Sequence, residues 1–298
     1  MKNRRLLAFA QLLRLPNVFT AFADILMAGC AVGTITARPE IVVVLLLTSG
    51  CLYLFGMVWN DWCDYYEDVA KRPSRPLPSG RIGLRTALFL AAGLRVAGMS
   101  AATAVEGLSS ITFAITGVLA AAIILYDWIL KHYWIGPLAM GTCRFLNVLL
   151  GSLAFAPDPL PYVPWHLAGV VGLYIVGVTW FARTEEGVSR KFHLIGAAVV
   201  MALSLASAVA VPAQLPAGQA PVYYPYLLVL FGFAVGLPVV AAIRKPTPLM
   251  VQAAVKRCIF GLVLLDTILA TAFVGWPGLL LVLLLLPANR LGRWVYTT

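Results

Sequence analysis

The chain has 298 residues, of which 61% are hydrophobic and only 11% charged, against about 25% charged in an ordinary soluble domain. Its mean hydropathy is +0.90, which excludes a soluble domain, and its continuously apolar runs exclude a β-barrel, whose strands alternate over about ten residues. The net charge of +10 lies mostly between those runs, so it reads as an orientation signal rather than a nucleic-acid surface.

The first segment, "MKNRRLLAFAQLLRLPN", has a basic start and a short apolar run. It lacks a small-residue cleavage site, so an interfacial helix is expected rather than a signal peptide. Apolar runs of roughly the 20 residues that cross a bilayer follow near 18–36, 40–59, 84–104, 107–126, 134–156, 164–182, 194–211, 222–243 and 258–276. The expected fold is therefore all-α, a polytopic bundle of about nine transmembrane helices. A tenth run, 278–287, is short for a span and reads as re-entrant or as a tilted continuation. No linker or composition break divides the chain, so one domain over 1–298 is expected. The cysteines at 30, 51, 63, 143 and 258 have neither metal-site nor disulfide spacing and read as small buried hydrophobes.

Lysine and arginine bias then sets the orientation. With the N-terminus inside, the cytoplasmic loops receive Lys71, Arg72, Arg75, Arg81, Arg85, Lys131, Arg190, Lys191, Arg244 and Lys245. The opposite loops carry Arg38, Glu106, Asp158 and the uncharged "VPAQLPAGQAPVYY". The expected location is the plasma (inner) membrane, with the N-terminus and the end of the second span cytoplasmic. Arg290 and Arg293 fit this poorly, because nine crossings put the C-terminus outside.

The second span ends in "NDWCDYYEDVAKRPSRPLPSG", which gathers four carboxylates into residues 60–68. If that helix runs on to residue 68, Asn60, Asp61, Asp64, Glu67 and Asp68 fall within an arc of roughly 120°. One reading is a solvated helix end. Four crowded like charges repel one another, however, and a divalent cation would relieve them. Hard oxygen donors suit Mg²⁺, which typically bridges one or two carboxylates to substrate phosphates. The prolines after Arg72 stiffen a loop able to carry Lys71, Arg72 and Arg75 over the acids. Acids holding Mg²⁺ beside cations describe a pyrophosphate site. Tyr65 and Tyr66, beside the acids, are candidates to stabilise an allylic cation, with packing as the plainer role.

This stretch resembles the first aspartate-rich motif of the UbiA superfamily of intramembrane prenyltransferases, with Asn60, Asp64 and Asp68 in the motif positions and Arg75, Pro76 and Gly80 in its basic loop. "YDWILKHYWIGPLAMGTCRFLNVLLG" and "GVTWFARTEE" are similar to the EboC-like branch. The resemblance implies a bundle around a central cavity, two acidic motifs that bind Mg²⁺ and a prenyl diphosphate, and transfer of the prenyl group to a lipophilic, often aromatic, acceptor.

On that resemblance the metal ligands are Asn60, Asp64, Asp68, Glu185 and Glu186, the last two from a second motif, "WFARTEEGVSRK", in which Ala182 stands where an aspartate is usual. Diphosphate binding falls to Arg72, Arg75, Lys131, Arg144 and Asn147, and catalysis to Asp64, Asp68 and Lys131. Lys131 matches the family's phosphate-binding lysine, with Asp127 as its expected helix partner at i, i+4. Asp24, Arg95, Arg144 and Asp266 lie within apolar runs, where an ion needs a partner or a role. Asp24 is open to pairing with Arg144 or Arg95 or to anchoring the acceptor; Arg95 and Asp266 read as structural pairs or snorkelling groups. Two other functions stay open: a non-catalytic isoprenoid-binding protein, favoured by the thin second motif, and a secondary transporter.

Overall fold

The computed structural model describes residues 2–104, 110–153, 162–183, 190–216 and 219–296, and every regular element among them is helical. Helix α1 (Lys2–Leu12) is followed by a single 3₁₀ turn, Leu15–Asn17, into α2 (Val18–Val32). Gly33, at φ 76°, caps α2 in the left-handed conformation that glycine adopts without a Cβ clash. A short turn, α3 (Thr34–Ala37), leads to Pro39, which opens α4 (Pro39–Cys63), a proline position that costs no helical hydrogen bond. The acidic stretch forms α5 (Tyr65–Lys71).

Long helices then alternate in direction: α6 (Leu84–Thr103), α7 (Ser110–Trp128), α8 (Gly136–Leu153), α9 (Val163–Ala182), α10 (Lys191–Val209), α11 (Tyr224–Arg244) and α12 (Pro248–Val274). Among the described residues, nine segments are long and apolar enough to cross a membrane, from Leu15–Val32 to Trp276–Val295. The chain is an integral membrane protein. Phe89, Val96, Phe192 and Leu237 remain more than half exposed on the bundle's outside, as a lipid-facing surface requires. The α8 helix, 18 residues long and outside that set of nine, lies against α9 and α2. Its closest approach is at Gly141, where a Cβ would stand 2.7 Å from the Gly172 carbonyl oxygen, so only glycine lets α8 seat this deeply against α9.

The C-terminal run departs from the expectation. The chain reverses at Gly275 (φ 69°) and returns as a 3₁₀ stretch, Trp276–Leu284, and then α13 (Leu285–Tyr296). Together with α13 this stretch gives Trp276–Val295, 20 residues, long and apolar enough to cross back. Gln11 Nε2 donates to the Val295 carbonyl at 3.0 Å, and α13 packs on the Leu15–Asn17 turn. The segments around Gln11 and Val295 therefore meet at one end of the bundle.

Candidate functional site

The site forms where α4 passes into α5. Asp64, at φ −85° and ψ 4°, breaks the helix, yet the amides of Asp64, Asp68 and Arg72 still bond the carbonyls of Asn60, Asp64 and Asp68 at 2.8–2.9 Å. Helical register therefore survives the break, and Asn60, Asp61, Asp64 and Asp68 keep a common side. Glu67 does not join them. It pairs outward with Lys71 at 2.7 Å, both side chains about half exposed; Lys71 lowers the Glu67 pKa by hydrogen-bonding its charged form.

The proline-rich loop folds over the acids as anticipated. Leu77 and Ile82 are buried and pin it, Gly80 turns it at φ 72°, and Arg81 ties it to α1 through Gln11 Oε1 at 2.8 Å. Arg75 thereby reaches Asp68 at 2.6 Å and Asp61 at 3.5 Å, and Arg72 reaches Asp68 at 3.4 Å. Across the mouth, Lys131 pairs with Asp64 at 2.5 Å. The expected Asp127–Lys131 pair does not form, because α7 ends at Trp128 and a 3₁₀ turn, Leu130–His132, swings the lysine away. Asp127 instead accepts a hydrogen bond from Asn60 Nδ2 at 2.7 Å.

Arg14 is a site residue that sequence reasoning missed. It holds a left-handed backbone (φ 45°, ψ 45°), a conformation that costs a non-glycine residue of order 1–3 kcal/mol. That turn delivers its guanidinium to Asp61 at 2.7 Å and towards Asn60 Oδ1 at 3.4 Å. No periodicity announces such a residue; its only signal was a cation beside Pro16 at the start of a span.

A cavity of about 390 Å³ opens from this mouth into the bundle. Arg14, Asn17, Asn60 and Asp127 line its polar end; Leu52, Leu119, Ile123, Ile175, Val178 and Leu262 contribute to its apolar wall. Tyr53 and Tyr126 face it. Tyr65 and Tyr66 are not among its lining residues, and Tyr66 is 86% exposed, so neither is placed to meet an allylic cation.

Arg144 and Asn147 also line the cavity but are not brought to the mouth. Ser49, which donates to Asn147 Oδ1 at 2.7 Å, lies eleven residues before Asn60 on α4, about 16 Å deeper at 1.5 Å per residue. Arg144 bonds Asp24 at 3.0 Å and Thr20 at 2.7 Å, and Asn147 bonds Asp24 at 2.8 Å and the Ala21 carbonyl at 3.1 Å. Asp266 is fully buried on α12, and neither of its oxygens nor Oδ1 of Asp24 has a hydrogen-bond partner among the described residues. Arg95 is exposed on the outer face of α6, and Glu185 and Glu186 lie outside the described residues.

The sequence profile of the UbiA prenyltransferase family matches residues 18–248. The chain belongs to the UbiA prenyltransferase family. Among curated UbiA relatives, the digeranylgeranylglyceryl phosphate synthase of Thermococcus gammatolerans is 32% identical over 150 residues, 49% of this chain and about half (52%) of that one. The enzyme of the same name from Methanopyrus kandleri is 28% identical over 238 residues, 74% of this chain and 82% of that one. A solved structure of a digeranylgeranylglyceryl phosphate synthase superposes at a TM-score of 0.67 with 20% identity, over 91% of this chain and 99% of that one. An Archaeoglobus fulgidus UbiA homologue bound to GPP and Mg²⁺ superposes at 0.59 with 13% identity, over 86% and 99%. At these identities the superpositions establish the UbiA fold.

Proposed function

We propose that this UbiA-family protein transfers a prenyl group from a prenyl diphosphate to a lipophilic acceptor, with the diphosphate bound at the mouth formed by α4, α5 and the Arg72–Gly80 loop. One observation carries the reading: Arg14, Arg72, Arg75 and Lys131 converge on Asp61, Asp64 and Asp68 at the polar end of an apolar cavity. Relatives named for digeranylgeranylglyceryl phosphate synthesis, and a homologue holding GPP with Mg²⁺, support the choice of donor. The same relatives favour a lipid hydroxyl as acceptor.

The donor set fits Mg²⁺. Asn60, Asp64 and Asp68 offer hard oxygens, although among the described residues no three His, Cys, Asp or Glu side chains stand together closely enough to hold a metal ion by themselves. An ion that keeps its waters and shares its coordination with substrate phosphates needs no cage. Asn60, Asp64 and Asp68 would hold it, with Glu185 and Glu186 as further ligands. Bound there, it would neutralise charge that develops on the departing diphosphate.

The chain's own residues do the rest. Lys131, Arg72 and Arg75 leave their carboxylates for the diphosphate oxygens and stabilise it as it departs. The allylic C–O bond breaks with its electron pair on the diphosphate, the acceptor oxygen bonds to the allylic carbon, and the acceptor proton passes to solvent at the mouth. Apolar side chains along the cavity hold the isoprenoid tail and keep water from the cationic carbon. Arg144 and Asn147, engaged with Asp24 far below, serve as the cavity's inner polar rung rather than as diphosphate ligands. The mouth is assigned to the cytoplasmic side of the plasma membrane, since the Lys/Arg-rich loops share its end of the bundle.

The test is Mg²⁺-dependent release of inorganic pyrophosphate from geranyl and longer prenyl diphosphates with lipid acceptors. Release by the wild-type protein that Asp64→Ala abolishes is expected. Equal release by both would overturn the assignment, and binding without release would favour the non-catalytic isoprenoid carrier.

A further inference from the structure

The outer face of the bundle carries a groove separate from the cavity. Helix α12 turns Val255, Ile259 and Leu262 to the cavity but Ala253 and Arg257 outward, where with Phe233, Leu237 and Pro238 of α11 they line a depression of about 540 Å³. Arg257 is the one charged side chain that lines it. It stands nine residues past Pro248, about 13 Å along the helix at 1.5 Å per residue. Arg257 is exposed there, and so is Lys256 next to it. Arg244 and Lys245, both exposed, lie where α11 ends.

This part of the chain has little to neutralise its cations. From residue 187 onward the sequence holds eight lysines and arginines and a single acid, Asp266, which is fully buried. None of the ion pairs among the described residues includes Arg244, Lys245, Lys256 or Arg257. The described surface of a second copy has no anion to spare either, because its exposed acids, Glu40 and Glu67, already pair with Arg38 and Lys71. An arginine that faces hydrocarbon without a partner is costly, whereas basic pockets between transmembrane helices take phosphate headgroups. We infer that the α11–α12 groove holds one anionic phospholipid, its phosphate on Arg257, flanked by Lys256, and an acyl chain along Phe233 and Leu237. The inference is independent of the diphosphate reading above.

The experiment titrates the full-length protein in detergent with phosphatidylglycerol or with phosphatidylcholine of the same acyl chains, and native mass spectrometry counts bound lipids and protein chains. In the wild type the first phosphatidylglycerol is expected to bind at least about fivefold more tightly than the first phosphatidylcholine, the factor one cation beside an anionic headgroup contributes. Arg257→Gln is expected to lose most of that preference at an unchanged lipid-free melting temperature, and Arg257→Lys to keep most of it. Ala253→Trp fills the groove with the arginine in place and is expected to weaken the first phosphatidylglycerol. Arg95→Gln removes another exposed arginine from the outer face and is expected to keep the preference. Equal affinities in the wild type, a preference that survives Arg257→Gln, or an equal loss in Arg95→Gln overturns the proposal. So does a lipid-free dimer that Ala253→Trp dissociates, since a second copy would then occupy the groove.

Discussion

The molecule holds two groups of charges inside one bundle, and their surroundings differ. At the mouth, Arg14, Arg72 and Arg75 keep 26–37% of their side-chain surface exposed while pairing with Asp61 and Asp68, whereas Lys131, paired with Asp64, keeps 12%. In the inner group, Asp24 and Asp266 are fully buried and Arg144 keeps 13% exposed. Partners differ as well. The mouth's cations come from a turn, a loop and a 3₁₀ segment, each able to yield to a ligand. The inner group comes from the long helices α2, α4, α8 and α12, and its bonds fasten α2, α4 and α8 to one another. Charge in a membrane protein is therefore not evidence of function until its exchangeability is known. Ion pairs that water and ligand can reach form a site, whereas those closed within helices act as a bracket.

Breaking the bracket gives the largest effect on stability. Asp24→Ala leaves Arg144 buried without its countercharge, and a loss of about 3–5 kcal/mol is expected, read as a large drop in melting temperature. A double variant, Asp24→Asn with Arg144→Met, recovers much of it, because no lone charge remains. Lys131→Met breaks the mouth and behaves oppositely: melting shifts little, while prenyl transfer falls roughly 10²–10³-fold, the scale for loss of one preorganised electrostatic partner. Gly141→Ala lies between the regions. A Cβ 2.7 Å from the Gly172 carbonyl pushes α8 off α9, with an expected cost of about 1–3 kcal/mol and a distorted inner group.

The smallest effect marks the limit of the site. Glu67→Gln removes an exposed pair with Lys71 worth about 0.3–0.5 kcal/mol and leaves transfer unchanged. Because Lys71 lowers the Glu67 pKa, the pair's contribution is present above the ordinary glutamate pKa. It fades as pH falls through the lowered one. Melting measured from neutral to acid pH in wild type and Glu67→Gln checks this: the two curves converge at the acid end.

Much of this was legible in the sequence. Apolar runs located the long helices, since a span must be apolar throughout, and the Asn60–Asp68 spacing placed its oxygens on one side even across the break at Asp64. What failed did so for geometric reasons. The last crossing was hidden because the apolar run stops at Pro287, whereas the helical segment continues through polar residues to Val295 and totals 20 residues. Asp127 and Lys131 looked like a helical pair because nothing in "YDWILK" shows that the helix stops between them. Arg14 reaches the site only through a left-handed turn that its sequence does not signal. Arg144 and Asn147 were grouped with the mouth by motif resemblance, although their place mid-span already put them a dozen ångströms or so from it at 1.5 Å per residue.

The central claim is that the mouth exchanges its internal ion pairs for a diphosphate and a divalent cation. The most direct measurement is thermal stability of the purified protein with geranyl diphosphate, with and without Mg²⁺, in wild type and Asp64→Ala. A ligand confined to the folded state adds about 2.7 kcal/mol at a hundredfold excess over Kd. The account predicts a Mg²⁺-dependent rise in melting temperature that Asp64→Ala loses. An equal rise in the variant, or no rise in the wild type with any prenyl diphosphate, would contradict it.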